Sequence, residues 1–158
     1  MAVSLDLKKI NKTIRIFAVA QLGLMALLVY TAVNFQHKLQ MIGRGQQFMG
    51  TVIAACVIQL VLFYPIFKFA GKEADRDFSL VGRTLDKEEG KAFTKKKRWA
   101  DVIKMSVFGF YFIFMVAAPT DPVVLSVIYY SFVLTILTYL QSYNFSAKKL
   151  AKRVPGKE

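Results

Sequence analysis

Six polar side chains stand inside otherwise apolar stretches of the sequence, and they are its first candidates for chemistry. Gln21 and Gln59 are the deepest polar residues of the first two stretches. A glutamine amide in such surroundings can contact the polar part of a substrate or a quinone headgroup, or it can hydrogen bond to a neighbouring helix. We expect the interhelical bond, and the substrate contact stays open as the alternative.

Four hydroxyl side chains follow one another through the last apolar stretch: Ser131, Thr135, Thr138 and Ser142. Their spacing places them on one face of a helix. Such a stripe either lines a path for water or a ligand, or it forms a close helix–helix interface, because small hydroxyl residues let two backbones approach. We expect the interface.

Ionisable residues are absent from the interiors of these stretches, over residues 16–35, 47–67, 105–118 and 123–140. Ion-coupled transporters and proton relays place acidic, basic or histidine side chains within the membrane. The sequence therefore argues against a proton-driven pump or antiporter.

Catalytic, metal and cofactor motifs are not found. His37 is the single histidine, too few for a haem held by two histidines or for a histidine-rich zinc site. Cys56 is the single cysteine and is expected to be a small packing residue. Gly43 and Gly45 form a Gly-x-Gly without the preceding strand that a phosphate loop requires. We predict no enzyme and no cofactor.

The elements that carry these residues are four long apolar stretches. The 158-residue chain is 55% hydrophobic, more than a small soluble core can bury. A helix needs about 20 apolar residues to cross about 30 Å of hydrocarbon. We predict an all-α integral membrane protein, a single domain over 1–158, with four spans at about 13–35, 47–70, 101–118 and 122–143.

The connections complete this topology. A cytoplasmic loop is predicted over about 71–100 and a basic tail over 144–158, and the turn from Pro119 to Pro122 is very short. Asp121 is placed to cap the fourth helix, and Asp86 to begin a helix that leads into the third span. We expect two antiparallel hairpins.

Positive charge gives the orientation. The net charge is +12, and twenty of the 22 Lys and Arg residues fall on one side of the four spans. Cytoplasmic flanks carry such an excess, so both termini are predicted to be cytoplasmic, by default in a bacterial inner membrane. Because the charges flank apolar spans, we expect no nucleic-acid binding.

Anionic lipid headgroups are the expected partners of these charges, at about 1 kcal/mol per residue near the surface. The predicted contacts are Lys95, Lys96, Lys97, Arg98, Lys148, Lys149, Lys152 and Arg153.

Two functions from different classes fit the sequence. One is a non-catalytic small membrane subunit or scaffold, in a larger complex with other membrane subunits or in a homo-oligomer. Its basis is the basic cytoplasmic side and the aromatic residues on every side of the third span: Phe108, Phe110, Tyr111, Phe112 and Phe114. The alternative is a small oligomeric channel or carrier, with a polar pathway lined by the span glutamines and hydroxyls.

Overall fold

The computed structural model describes residues 7–79, 86–118 and 120–152, with side chains from residue 10 onward. Over these residues the chain forms helices and turns and no strand. The four helices are α1 (Leu7–Met41), α2 (Gln47–Phe78), α3 (Lys87–Ala117) and α4 (Pro122–Ala151).

All four helices are long and apolar enough to cross a membrane. The prediction of a four-span, all-helical membrane protein is therefore confirmed at the level of length and composition. α2 and α3 continue into the predicted loop over 71–100, which is helical up to Phe78 and again from Lys87. The tail predicted from residue 144 is helical as far as Ala151.

The turn between α1 and α2 depends on Gly43. Its φ of 73° lies in the left-handed region, which glycine adopts without a steric penalty. The backbone N–H of Gly43 donates to the carbonyl of Gln40 at 3.0 Å, and that of Arg44 donates to Leu39 at 2.8 Å. These two bonds form a Schellman motif, so the Gly-x-Gly sequence serves to end a helix.

The predicted cap at Asp121 is confirmed, and the helix predicted to begin at Asp86 does begin there, with Asp86 as its cap. Asp86 precedes α3, and its carboxylate accepts a hydrogen bond from the backbone N–H of Lys87 at 2.7 Å. Asp121 precedes α4, where it accepts from the N–H of Val123 at 2.8 Å, and Pro122 occupies the first turn. Each carboxylate satisfies an N–H that the helix itself leaves without an acceptor.

α4 is the central helix of the bundle. It packs most extensively on α2, then on α1, and more lightly on α3, whereas α1 and α2 touch each other only slightly. The arrangement as two hairpins is not confirmed, because the largest interface joins two helices that are not consecutive in the chain.

Small residues bring α2 and α4 close together. Ala70, Ala74 and Ala147 are fully buried and form a core cluster with Tyr143. A Cβ atom built on Gly71 would lie 3.6 Å from the Ser146 hydroxyl of α4. Backbones can approach this closely only where side chains are small.

Contacts between the helices define two ends of the bundle. The turn end holds the α1–α2 and α3–α4 connections, where Arg44 meets Asp121. The basic end holds the end of α2, the first half of α3 and the end of α4. Phe17 of α1 contacts Tyr143 near the basic end, and Phe35 contacts Tyr130 nearer the turn end, so α1 and α4 run antiparallel.

Candidate functional site

Gln59 is the centre of a polar network inside the bundle. Its amide donates to the hydroxyl of Thr138, and its carbonyl oxygen accepts from the hydroxyl of Thr135 at 3.5 Å. The Thr135 hydroxyl also lies 3.1 Å from the phenol oxygen of Tyr111. This set, the Gln59 network, links α2, α3 and α4 at the depth where no lipid group can take these hydrogen bonds.

The remaining predicted polar residues lie outside this network. Ser142 is buried on α4, and Ser131 is buried with a hydroxyl that has no partner among the described residues. The amide nitrogen of Gln21 is likewise buried without a partner there. Gln59 bonds to α4 rather than to Gln21, so the two glutamines are not paired with each other.

The most heavily bonded side chain is one that the sequence did not single out. Glu73 is only 6% exposed, near the basic end of α2. One carboxylate oxygen accepts from the ammonium group of Lys104 at 2.7 Å and from Arg76 at 3.2 Å. The other accepts from the phenol of Tyr139 at 2.6 Å. We call these four residues the Glu73 cluster.

A second set of contacts surrounds this cluster. The phenol of Tyr143 donates to Asp77 at 2.8 Å, and Arg76 lies 3.7 Å from the same aspartate. The guanidinium of Arg76 also stacks over the ring of Phe93 on α3, 5.7 Å from its centroid. Asp101 gives Lys104 a second carboxylate at 3.0 Å. Three helices are therefore joined through charge-assisted bonds.

The chemistry of the Glu73 cluster is that of a structural junction. A carboxylate that accepts from two cations and a phenol has little remaining capacity to bind a ligand. A sequence signal existed, since Glu73, Arg76 and Asp77 follow the apolar part of α2 at helical spacing. The predicted span ended at residue 70, which left these residues in a loop.

At the turn end, Arg44 and Asp121 form an ion pair at 3.0 Å between the two connections. The N–H of Val123 and the guanidinium of Arg44 hold the pKa of Asp121 below its ordinary value of 3.8. Arg44 also donates to Gln47 at 2.8 Å, so one side chain joins the start of α2 to the cap of α4.

The predicted lipid contacts are surface residues wherever the structure describes them. Lys95, Lys96, Lys97 and Arg98 are exposed on the first half of α3. Lys148, Lys149 and Lys152 are exposed at the end of α4, and Arg153 lies outside the described residues.

Neither His37 nor Cys56 lies in a metal-binding group among the described residues. His37 is exposed, and the described ranges contain no group of three His, Cys, Asp or Glu residues that could hold a metal ion. Cys56 is exposed on α2, so the expectation of a packing residue was wrong.

Comparison with known proteins found no matching family model, and no curated protein or solved structure matched the chain.

Proposed function

We propose that this protein is a non-catalytic membrane subunit or scaffold that works in a larger membrane assembly. The observation that carries the proposal is how polar and apolar side chains are distributed over the four helices. The bonded polar side chains of α2, α3 and α4 join the protein's own helices, while α1 and α3 keep broad apolar faces open.

The polar side chains that support this proposal belong to the Gln59 network and the Glu73 cluster. A transport pathway needs polar groups that face a solute and exchange partners with it. Gln59, Thr135 and Thr138 bond to one another, and Tyr111 extends the network to α3. These groups are suited to fixing the helices rather than to passing a solute between them.

The apolar face that supports this proposal lies on α3. Among its large aromatic residues Tyr111 is buried, while Phe110, Phe112 and Phe114 are exposed. Within the described residues, α3 packs only lightly on α4 and meets α2 through side chains near the basic end. A second membrane helix fits such a face, because ring surfaces give large contact area with few side-chain torsions to order.

The placement in the cell follows from charge. We propose that both termini and the basic end face the cytoplasm, with an anionic bacterial inner membrane as the default setting. The exposed lysines of α3 and α4 would then lie at the cytoplasmic headgroups, and the partners would be other membrane subunits or further copies of this chain.

Native mass spectrometry of the protein, extracted gently from its own membrane, tests this proposal. We expect a complex of fixed stoichiometry that contains other membrane polypeptides or further copies of the chain. Changing Phe110, Phe112 and Phe114 to Ala should release the partners. A matched triple change of Leu22, Val29 and Val33 on α1 should not, if α3 is the docking helix. A wild-type protein that remains monomeric in its native lipids would contradict the proposal.

A small oligomeric channel or carrier is the second candidate. It is favoured by three of the five buried polar atoms that lack a partner in the described chain, those of Gln21, Tyr130 and Ser131. A solute or water could satisfy them. Pure protein in liposomes would then conduct an ion or solute, and Gln21→Leu, Gln59→Leu or Ser131→Ala would reduce that flux. Flux that survives all three changes would exclude this pathway.

A further inference from the structure

A groove of about 710 Å³ runs between the start of α1 and the end of α4, at the basic end of the bundle. We call it the basic groove. The residues that matter for its chemistry are Ile14 and Arg15 of α1 and Phe145, Lys148, Lys149 and Lys152 of α4.

The walls of the groove are held by the fold itself. The amide of Asn144 donates to the backbone carbonyl of Ile14 at 3.5 Å, and the ring of Phe17 packs edge-on against Tyr143 at 5.1 Å. Both contacts fix the first turns of α1 against α4. The groove is therefore a fixed feature of two packed helices.

Among the described residues, no acidic side chain compensates the positive charge of the groove. Arg15 faces it from one helix, and Lys148, Lys149 and Lys152 face it from the other, with no acidic residue in its lining. Within the described parts of the chain these four cations form no salt bridge, whereas Arg76 and Lys104 each have a carboxylate within reach. Lys152, the C-cap of α4, also follows Lys148 by four residues, a spacing at which like charges repel.

The groove also offers apolar surface beside the charges. Phe145 is 61% exposed, and Ile14 stands opposite it on α1. The predicted spans begin at about 13 and end at about 143, which puts the groove at the depth of the phospholipid headgroups. Cations above an apolar wall at this depth match a lipid that has a phosphate headgroup and acyl chains.

We propose that the basic groove is a discrete binding site for an anionic phospholipid. The headgroup phosphate contacts Arg15 and the three lysines, and the glycerol and first acyl carbons contact Phe145 and Ile14. We expect diffuse attraction to the membrane from four exposed cations that lie on the single helix α3: Lys95, Lys96, Lys97 and Arg98.

Lipid retention by the full-length protein tests the proposal. The protein in neutral detergent is titrated with phosphatidylglycerol or phosphatidylcholine, and bound lipid is counted by native mass spectrometry. At low lipid concentration we expect one phosphatidylglycerol to bind per protein. Phosphatidylcholine should bind at least about tenfold more weakly. Inorganic phosphate at millimolar concentration should not displace the lipid, since it lacks the acyl chains.

A matched pair of variants separates a site from general attraction. One variant changes the four groove cations to Gln: Arg15, Lys148, Lys149 and Lys152. The other changes four cations of α3 to Gln: Lys95, Lys96, Lys97 and Arg98. Each variant therefore loses one arginine and three lysines. We expect the groove variant to lose about a hundredfold or more in affinity, since it removes four cations that each contribute about fivefold. The α3 variant should keep most of the binding.

Three results would overturn the proposal. These are equal loss in the two variants, equal binding of the two lipids, and displacement by inorganic phosphate. Should the groove variant fail to fold, as judged by circular dichroism, Arg15→Gln and Phe145→Ala are tested singly. Both are expected to weaken phosphatidylglycerol binding, and unchanged binding in both would contradict the site.

Discussion

Glu73 shows how a charge is accommodated where a helix leaves the hydrocarbon. The carboxylate is buried, and both of its oxygens accept hydrogen bonds, from Lys104, Arg76 and Tyr139. A buried charge is tolerated only when partners of this kind replace its lost hydration. Removing the carboxylate would leave the cations and the phenol without their acceptor.

Glu73→Ala should therefore destabilise the bundle by about 2 kcal/mol, the scale of a lost hydrogen bond to a charged group. The free energy of unfolding is measured by titration with a denaturing detergent in mixed micelles. Asp101→Asn is the control, because Asp101 is another carboxylate on Lys104 but is 53% exposed. It should cost about 0.5 kcal/mol or less. Equal losses of unfolding free energy in the two variants would show that burial of Glu73 adds nothing to the stability of the bundle.

Asp121 predicts a dependence on pH at the turn end. The pKa of Asp121 is lowered in the folded protein, so the ionised carboxylate stabilises the fold at pH values above its ordinary pKa of 3.8. This contribution is lost as the pH falls through the lowered pKa, because the protonated acid no longer pairs with Arg44. Unfolding measured from pH 7 to pH 3 should show the loss at the acidic end.

Two substitutions divide the roles of Asp121. Asp121→Asn keeps a side-chain acceptor for the N–H of Val123 but loses the ion pair, so its acid-dependent loss should be smaller than that of the wild type. Asp121→Ala loses the cap as well and should be less stable than the Asn variant at pH 7. The prediction fails if the wild type and the Asn variant lose stability in parallel on acidification.

Among the elements, α4 organises the bundle because its inward faces carry small and hydroxyl residues. Ser126, Ser131, Thr135 and Ser142 are all buried on it. In the membrane, helices gain little from burying apolar side chains, since lipid is equally apolar, and close backbone packing and hydrogen bonds decide which helices associate. α2 supplies the matching small residues.

The close α2–α4 crossing gives a prediction at this scale. Gly71→Leu should push the two helices apart and cost about 1–3 kcal/mol, because the site has room for a Cβ atom beside Ser146 but not for a whole leucine. Gly50 lies on the same helix, and a Cβ there would meet nothing within 4 Å. Gly50→Leu should therefore change stability by about 0.5 kcal/mol or less. Detergent-induced unfolding of both variants provides the comparison, and a larger loss from Gly50→Leu would contradict this packing.

For the whole molecule, the uneven charge predicts its direction in the membrane. Twenty of the 22 Lys and Arg residues belong to the N-terminal flank, the segment from Lys68 to Lys104, and the tail. Reversing the orientation would place these charges on the side that the positive-inside rule disfavours. The basic groove would then face away from the cytoplasmic leaflet.

Cysteine labelling in intact cells measures this orientation. The exposed Cys56 is first changed to Ala, and single cysteines are introduced as His37→Cys near the turn end or Lys96→Cys near the basic end. A membrane-impermeant maleimide should label the first variant in intact cells and the second only after the membrane is opened. The opposite pattern would reverse the proposed topology.

The sequence by itself determined the number of helices, their approximate positions and several of their ends. Apolar length predicts a membrane helix because the hydrocarbon has a known thickness. The cap at Asp121 and the helix start at Asp86 could be predicted because both depend only on neighbouring residues. Gln59, Thr135 and Thr138 could be selected as polar candidates because an amide or hydroxyl in lipid needs a partner, and in the structure they bond to one another.

Only the tertiary structure decided which helices pack together and which side chains meet. Apolar residues surround each span on every side, so hydrophobic periodicity does not indicate the inward face as it does in a soluble helix. The position of α4 at the centre, the junction at Glu73 and the walls of the basic groove all depend on how the helices are rotated about their axes. That rotation is fixed by contacts between residues far apart in the chain, such as Glu73 with Tyr139 and Ile14 with Asn144.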